Sequence, residues 1–432
     1  MEIQELYNIF KKNPVISTDS RKITPNSLFF ALKGENFDGN KFAQSAINDG
    51  AAYAIISDKN FEIDGKTILV DNTLKTLQEL AKFHRKEIDI KIVGITGTNG
   101  KTTTKELVAK VLSKQFKTYA TQGNFNNHIG VPLTLLSLTN DIEVAVVEMG
   151  ANHFGEIAEL CEISQPNIGL ITNIGKAHLE GFGSLENLIN TKLGLFEAIK
   201  KSNGFFLLNT NDNILTERIN NYENIAEYGK TNNSIVKIVE IFDNIFLKLK
   251  VKICTKFYEI NTKLIGKYNT DNVLAAIAVG LVNNISTDKI IEAIEEYEPS
   301  NNRSQLKKTD KNTLILDMYN ANPTSMSLAI QNFAELDLPN KVLIIGDMLE
   351  LGKNEKQDHQ EIIELINNYK FKDVFLVGKI LSSCNYSADY KAFENVNLLN
   401  EYLQHNEIKD CTILLKASNG TGLKKCNLII NN

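Results

Sequence analysis

The chain has no tryptophan, seven prolines and five cysteines in 432 residues. The cysteines (161, 254, 384, 411 and 426) stand far apart, and none forms the CxxC spacing of a zinc or redox site. That scatter argues against a disulfide framework and fits a reducing cytoplasm, with burial as the plain expectation for each thiol. No apolar run approaches the roughly 20 residues of a membrane span, so membrane insertion is not expected. The opening MEIQELYNIFKKN lacks a signal-peptide core. Basic residues are not in surplus either. Lys and Arg number 47 against 52 Asp and Glu, and a net charge of −5 argues against general nucleic-acid binding. Internal repeats and low-complexity tracts are absent.

What remains is the composition of a packed soluble protein, 43% hydrophobic and 23% charged. Its length suggests roughly two to four domains. Residues 1–87 read as a small α/β unit. SLFFAL (27–32) and AAYAIIS (51–57) have strand length, with a helical stretch at 41–48 between them. A helix follows at 73–86, with Leu74, Leu77, Leu80 and Ala81 on one face. The polar segments STDSRK (17–22) and KGENFDGNK (33–41) read as surface loops or as binding loops.

Residues 88–302 alternate strand and helix, the pattern of a mostly parallel sheet covered on both faces. EVAVVE (143–148), IGLITN (168–173) and GFFLLN (204–209) are near-continuous apolar runs with polar C-terminal ends. In open α/β sheets that edge is where ligands bind. Residues 236–260 alternate apolar and charged and read as antiparallel hairpin strands. Helices are expected at 271–282 and 287–297, then a linker PSNN at 299–302. Residues 303–432 form a third α/β block. Its strands are expected at 313–316, 341–345, 373–377 and 412–415, its helices at 324–334 and 359–368.

The most informative stretch is IVGITGTNGKTTTK (92–105). A strand runs into a glycine-bearing turn, and the turn opens a helix. Backbone N–H groups at such a turn face phosphate, and the helix N-terminus adds partial positive charge. Lys101 can reach outer phosphates and Thr102 can hold Mg²⁺. The usual glycine five positions before Gly100 is replaced by Ile95, so the loop is the shorter GTNGKTTT.

Other strand ends carry polar groups. In GNFNNHIGVP (123–132) the carboxamides either bind a polar ligand or satisfy the turn. Glu148 ends an apolar strand, where a lone carboxylate is costly unless paired or metal-bound. His178, in TNIGKAH, is either structural or a ligand. With Thr102 and Glu148 on one edge it would suit Mg²⁺, which takes few protein ligands. Lys192 falls inside the apolar stripe Leu185, Leu188, Ile189, Phe196, Ile199. It either snorkels or is a functional lysine of altered charge. Asn269 and Asn272 open a helix, and one could be an N-cap. Arg303 could stabilise a transferring phosphate. DMYNANP (317–323) follows a strand, and GDMLELG (346–352) reads as structural.

In this order, GTNGKTTTKE, GNFNNHIGVP, EMGANHFGEI, TNIGKAHLEGFGS, NTDNVLAA, DMYNANP and GDMLELG resemble the Mur ligase family over nearly the whole chain. The N-terminal STDSRKITPNSLFFALKGENFDG resembles that family's UDP-sugar-binding segment. The resemblance implies three domains. They are a UDP-substrate domain (1–87), a phosphate-loop ATPase domain (88–302) and a Rossmann-like acceptor domain (303–432). It implies ATP-dependent amide formation through an acyl phosphate, with UDP-N-acetylmuramoyl-tripeptide and D-alanyl-D-alanine as substrates. Thr98, Asn99, Gly100, Lys101, Thr102, Thr103, Asn269, Asn272, Arg303 and Asp317 would contact ATP. Thr102, Glu148 and His178 would hold two Mg²⁺, joined by Lys192 once carbamylated by CO₂. Lys101, Lys192, His178, Glu148 and Arg303 would serve catalysis. Ser20, Arg21, Lys33, Asp38, Asn126 and Asn127 would face the UDP-sugar peptide, and Tyr319, Asn320 and Asn322 the acceptor edge. A cytoplasmic monomer is expected, with hinge motion that shields the acyl phosphate from water. One departure stands out. Where the family has a glycine-serine-arginine-glycine run, this chain has Ala417, Ser418, Asn419 and Gly420. The alternatives are the sibling ligase adding the third peptide residue, a folylpolyglutamate synthase, and a nucleotide-binding scaffold with a decayed site. DMYNANP and STDSRK speak against the siblings. Joint retention of Lys101, Glu148, His178 and Lys192 speaks against decay.

Overall fold

A computed structural model describes residues 1–175, 179–219, 221–242, 244–300 and 303–430. Its strands form three sheets. The first is four-stranded and parallel, in the order β1 (Ile16–Ser17), β2 (Leu28–Phe30), β3 (Tyr53–Ile56), β4 (Thr67–Leu69). Leu28, Phe30 and Ile55 are fully buried, as unbroken apolar runs dictate.

The central sheet has nine strands. They are β5 (Lys91–Thr96), β6 (Thr118–Ala120), β7 (Val144–Glu148), β8 (Ile168–Ile171), β9 (Phe205–Asn209), β10 (Ile225–Gly229), β11 (Val236–Phe242), β12 (Phe246–Ile253) and β13 (Lys256–Ile265). Their spatial order is β13-β12-β11-β10-β9-β8-β5-β7-β6. All pairs from β6 to β11 are parallel, so β5 lies inside the sheet with Ile92, Val93 and Ile95 fully buried. Burying each such side chain stabilises by roughly 1.5–3 kcal/mol. The expected hairpin strands are antiparallel, but they extend this sheet, with β11 parallel to β10.

The third sheet has the order β14-β15-β19-β16-β17-β18. Its strands are β14 (Gln305–Lys308), β15 (Asn312–Asp317), β16 (Lys341–Gly346), β17 (Asp373–Val377), β18 (Lys391–Phe393) and β19 (Cys411–Lys416). Only the edge pair β14–β15 is antiparallel among the described pairs.

The first and central sheets share one hydrophobic core. Leu6, Leu77 and Leu80 cluster with Val131, Leu135, Ile157 and Leu160. Helix Thr73–Glu87 is also tied down by polar groups. His84 meets the Leu138 carbonyl at 3.0 Å, and Arg85 donates to the Ser164 carbonyl at 3.0 Å. Among the described residues no helix is long and apolar enough to cross a membrane.

Candidate active site

The site sits at the C-terminal edge of the central sheet. β5 ends at Thr96, and the helix Lys101–Leu112 begins four residues after Gly97. Gly97 has φ +144° and Gly100 φ +79°, conformations that a side chain resists. Space forbids a side chain as well. A Cβ on Gly97 would lie 2.0 Å from the Thr172 hydroxyl, and one on Gly100 2.3 Å from the Asn272 amide oxygen.

The end of β8 clamps this loop. The Asn99 N–H donates to the Asn173 side chain at 3.0 Å, and its carbonyl accepts from Thr172 Oγ1 (2.6 Å) and Asn173 Nδ2 (3.0 Å). Thr98 exchanges hydrogen bonds with Gly175, whose N–H donates to Thr98 Oγ1 at 2.9 Å. The sequence drew attention to TNIGKAH for His178. His178 lies outside the described residues, whereas Thr172 and Asn173 hold the loop.

Lys101 is half-buried and folds back on the loop, donating to the Gly97 and Thr98 carbonyls at 2.9 and 3.0 Å. Burial pushes its pKa down, Glu148 pulls it up, and Arg303 pushes it down again. Lys192 comes from the helix Leu185–Lys201 and is buried, as its place in the apolar stripe implies. Its ammonium donates to Gly97 at 3.0 Å rather than snorkelling to solvent. Burial first, and Lys101 second, hold its pKa well below the ordinary lysine range.

Glu148 closes β7 and is buried. Its Oε1 accepts from Asn126 Nδ2 at 2.7 Å, while Oε2 has no hydrogen-bond partner among the described residues. A buried carboxylate oxygen left open fits a cation. Among the described residues no three His, Cys, Asp or Glu side chains converge. Mg²⁺ does not require that, since one or two carboxylates with phosphate oxygens and water suffice. Thr102 is buried at the start of the loop helix, and Thr103 beside it is half-buried. Thr121 and Lys105 brace this edge. The Glu148 N–H donates to Thr121 Oγ1 at 3.0 Å, and buried Lys105 donates to the Thr121 carbonyl at 2.8 Å.

Asn272 lies beneath the loop. Its Oδ1 accepts from Thr104 at 3.0 Å and its Nδ2 donates to Asn269 at 2.8 Å. Asn269 donates to the Ile265 carbonyl and does not cap the helix with its side chain. Asn127 Oδ1 accepts from the Ile129 and Gly130 N–H groups, serving its turn.

The third block approaches from above. The Arg303 guanidinium stacks on the Tyr319 ring at 3.5 Å. Asp317 pairs with buried Lys416 at 2.6 Å, across directly opposed positions of β15 and β19. Lys416 carries a cation immediately before the divergent Ala417–Gly420 run. Asn320 is exposed and accepts from the Ala321 N–H. Asn322 donates to Asn99 Oδ1 at 2.8 Å, joining third block to phosphate loop.

The first-sheet candidates stand in a different region. Ser20 and Arg21 lie in the short turn Ser20–Lys22, capped by Asp19. Arg21 is exposed and binds Asp19 through two hydrogen bonds of 2.9 Å, which hold that carboxyl at about 2. Lys33 and Asp38 pair across a single β-bridge, and Asp38 caps the next turn through the Asn40 N–H. The two loops follow β1 and β2, adjacent parallel strands.

This arrangement defines a phosphate-loop α/β protein with a lysine-rich, carboxylate-bearing strand edge. The chain belongs to the Mur ligase family. Residues 14–85 match the family's catalytic domain, 95–280 the Mur ligase middle domain, and 302–418 the Mur ligase glutamate ligase domain. It is similar to the UDP-N-acetylmuramoyl-tripeptide–D-alanyl-D-alanine ligase of Bacillus subtilis, 35% identical, covering 95% of this chain and 91% of that one. The Escherichia coli ligase of the same name is 32% identical, covering 95% and 92%. A crystal structure of MurF from Acinetobacter baumannii matches with a TM-score of 0.85 at 29% identity, over 95% and 92% of the two chains. MurF ligase from Thermotoga maritima in complex with ADP shares the fold, with a TM-score of 0.85 at 24% identity over 96% of each chain.

Proposed function

We propose that this chain is an ATP-dependent ligase that joins D-alanyl-D-alanine to UDP-N-acetylmuramoyl-tripeptide, an amide-forming step of peptidoglycan precursor synthesis. The observation that carries the reading is the joint placement of Lys101, Lys192 and Glu148 around one phosphate loop, within a chain similar along its length to ligases of that name.

The chemistry follows from charge. A carboxylate is a poor electrophile, and phosphorylation by ATP converts it to a good one. The substrate carboxylate oxygen attacks the γ-phosphorus, and ADP leaves. The amine of D-alanyl-D-alanine then attacks the acyl carbon, and phosphate leaves with that oxygen. Two anions must meet in the first step, so positive groups must surround the γ-phosphate. We assign that work to Lys101, which exchanges its loop carbonyls for phosphate oxygens, and to Arg303. Residues 98–103 form the phosphate cradle, with the backbone N–H groups at the helix start, 100–103, turned to phosphate, since Asn173 already takes those of Thr98 and Asn99. Asn269, Asn272 and Asp317 belong to the nucleotide side, the first two by shaping the loop from below. Mg²⁺, when bound, neutralises phosphate charge. Glu148 and Thr102 would hold it, with His178 and a carbamylated Lys192 at a second position. Ser20, Arg21, Lys33, Asp38, Asn126 and Asn127 serve the UDP-sugar peptide, and Tyr319, Asn320 and Asn322 the acceptor edge. The three units are assigned to 1–87, 88–302 and 303–432, working as a cytoplasmic monomer.

The test is a substrate panel with the folded protein and ATP. The third peptide residue is varied between lysine and diaminopimelate, and the acceptor between D-alanyl-D-alanine and single amino acids. Phosphate release dependent on both the tripeptide and the D-dipeptide supports the reading. Release with a dipeptide precursor and a single amino acid would replace it with a sibling ligase.

A further inference from the structure

The contact between Asn322 and Asn99 spans 223 positions of sequence and links the third block to the phosphate loop. Both carboxamides are oriented before they meet. Asn322 is the N-cap of the helix Pro323–Glu335. Its Oδ1 accepts from the Ser325 N–H at 2.9 Å, and its own N–H donates to Ser325 Oγ at 3.1 Å. The amide oxygen is therefore committed to the helix, and Nδ2 is left to point outward. Asn322 is buried. Opposite it, the Asn99 backbone is fixed on both sides by Thr172 and Asn173, which leaves its side chain to reach the third block. Close packing supports the same seam. A Cβ placed on Gly175 would lie 3.6 Å from Thr98 and 3.7 Å from the Thr324 hydroxyl.

We infer that Asn322 is a positioning residue that registers the third block over the phosphate loop through Asn99. The acceptor amine has to arrive within bonding distance of an acyl phosphate that the loop presents. Misplacement by about 1 Å is enough to slow such a step strongly. One capped helix, aimed by a fixed carboxamide at a fixed loop residue, supplies that register. The inference rests on the ligase reading for its kinetic arm and on geometry alone for its scattering arm.

The test is a double-mutant cycle on the full chain with Asn322→Ser and Asn99→Ala. Serine still caps the helix, so the cap is kept while the reach to Asn99 is lost. The expected result is a fall in ligation kcat of about three- to tenfold for each single variant, the range of one hydrogen bond. The double variant is no slower than the slower single one, and ADP affinity in Asn322→Ser stays within about twofold of the parent. Small-angle scattering with ADP bound shows a larger radius of gyration in Asn322→Ser. That arm needs no turnover, so it stands even if the ligase reading fails. Independent multiplication of the two single effects, unchanged kcat, unchanged scattering, or a loss of ADP affinity matching the loss of kcat would each overturn the inference. The last result would make Asn322 a nucleotide contact.

Discussion

Lys192 and Lys101 donate to the same acceptor, the Gly97 carbonyl, at 3.0 and 2.9 Å. Two ammonium groups cannot share one carbonyl in a buried pocket without cost, and the more buried of them gives way. Lys192 is the one whose pKa falls furthest, through burial first and Lys101 second. A lysine whose ammonium is disfavoured in this way gives up its proton more readily, and the amine so formed is a nucleophile that can capture CO₂. Carbamylation, as proposed for this residue, would remove the like-charge conflict by turning one cation into an anion. Lys192→Ala should lower turnover by about 10²–10³-fold, the loss expected for one electrostatic stabiliser. Short-chain carboxylic acids added to that variant should restore part of it. Equal turnover in variant and parent would return Lys192 to a packing role.

Glu148 presents Oε2 without a partner among the described residues and has Oε1 fixed by Asn126. Partners that orient a metal ligand commonly contribute about 10–100-fold to metal affinity. Asn126→Ala should therefore raise the Mg²⁺ concentration for half-maximal turnover by about tenfold, and Glu148→Gln by more. A Mg²⁺ titration of each variant checks this. An unchanged midpoint in both would remove Glu148 from the metal site.

Gly97 tolerates no side chain, because its φ is +144° and a Cβ would strike Thr172. The strained conformation alone costs about 1–3 kcal/mol for a non-glycine residue. Gly97→Ala should lower the melting temperature and abolish ADP binding, since relief must come from moving the β8 clamp. A variant that melts and binds like the parent would mean that the loop relaxes freely.

His84 sits in the core shared by the first and central sheets, against Tyr7 and the Leu138 carbonyl. Burial lowers its pKa below the ordinary value near 6.5. The unfolded chain then takes up a proton that the folded chain resists. Stability should fall as pH drops through about 6.5 toward the lower folded value, and the penalty is complete below that value. Melting curves between pH 5 and 7.5 should show this slope, reduced in His84→Gln. A slope of equal size in both would place the titration elsewhere.

Much of this architecture was legible in the sequence because buried parallel strands are written as unbroken apolar runs. β5, β7, β8 and β9 fall where those runs stand, and so does the phosphate loop. The short strands β1, β4, β6, β10, β14 and β18 were not legible. They are mostly half-buried and carry no such run, so pairing partners decide them. The same limit applies at the site. A lysine inside an apolar stripe advertises Lys192. Nothing local distinguishes Asn173, which clamps the loop, from Asn127, which serves its turn, because carboxamides suit both roles. Lys416 finds Asp317 only through the strand order β15-β19, and Asn322 finds Asn99 only through the packing of two sheets.

The most direct test follows one oxygen atom. The tripeptide precursor is labelled with oxygen-18 in its terminal carboxylate and incubated with ATP and D-alanyl-D-alanine. An acyl phosphate requires one labelled oxygen to leave with phosphate. The expected result is pentapeptide product together with one oxygen-18 per released phosphate. Product accompanied by unlabelled phosphate, or hydrolysis of ATP by folded protein without any amide product, would contradict it.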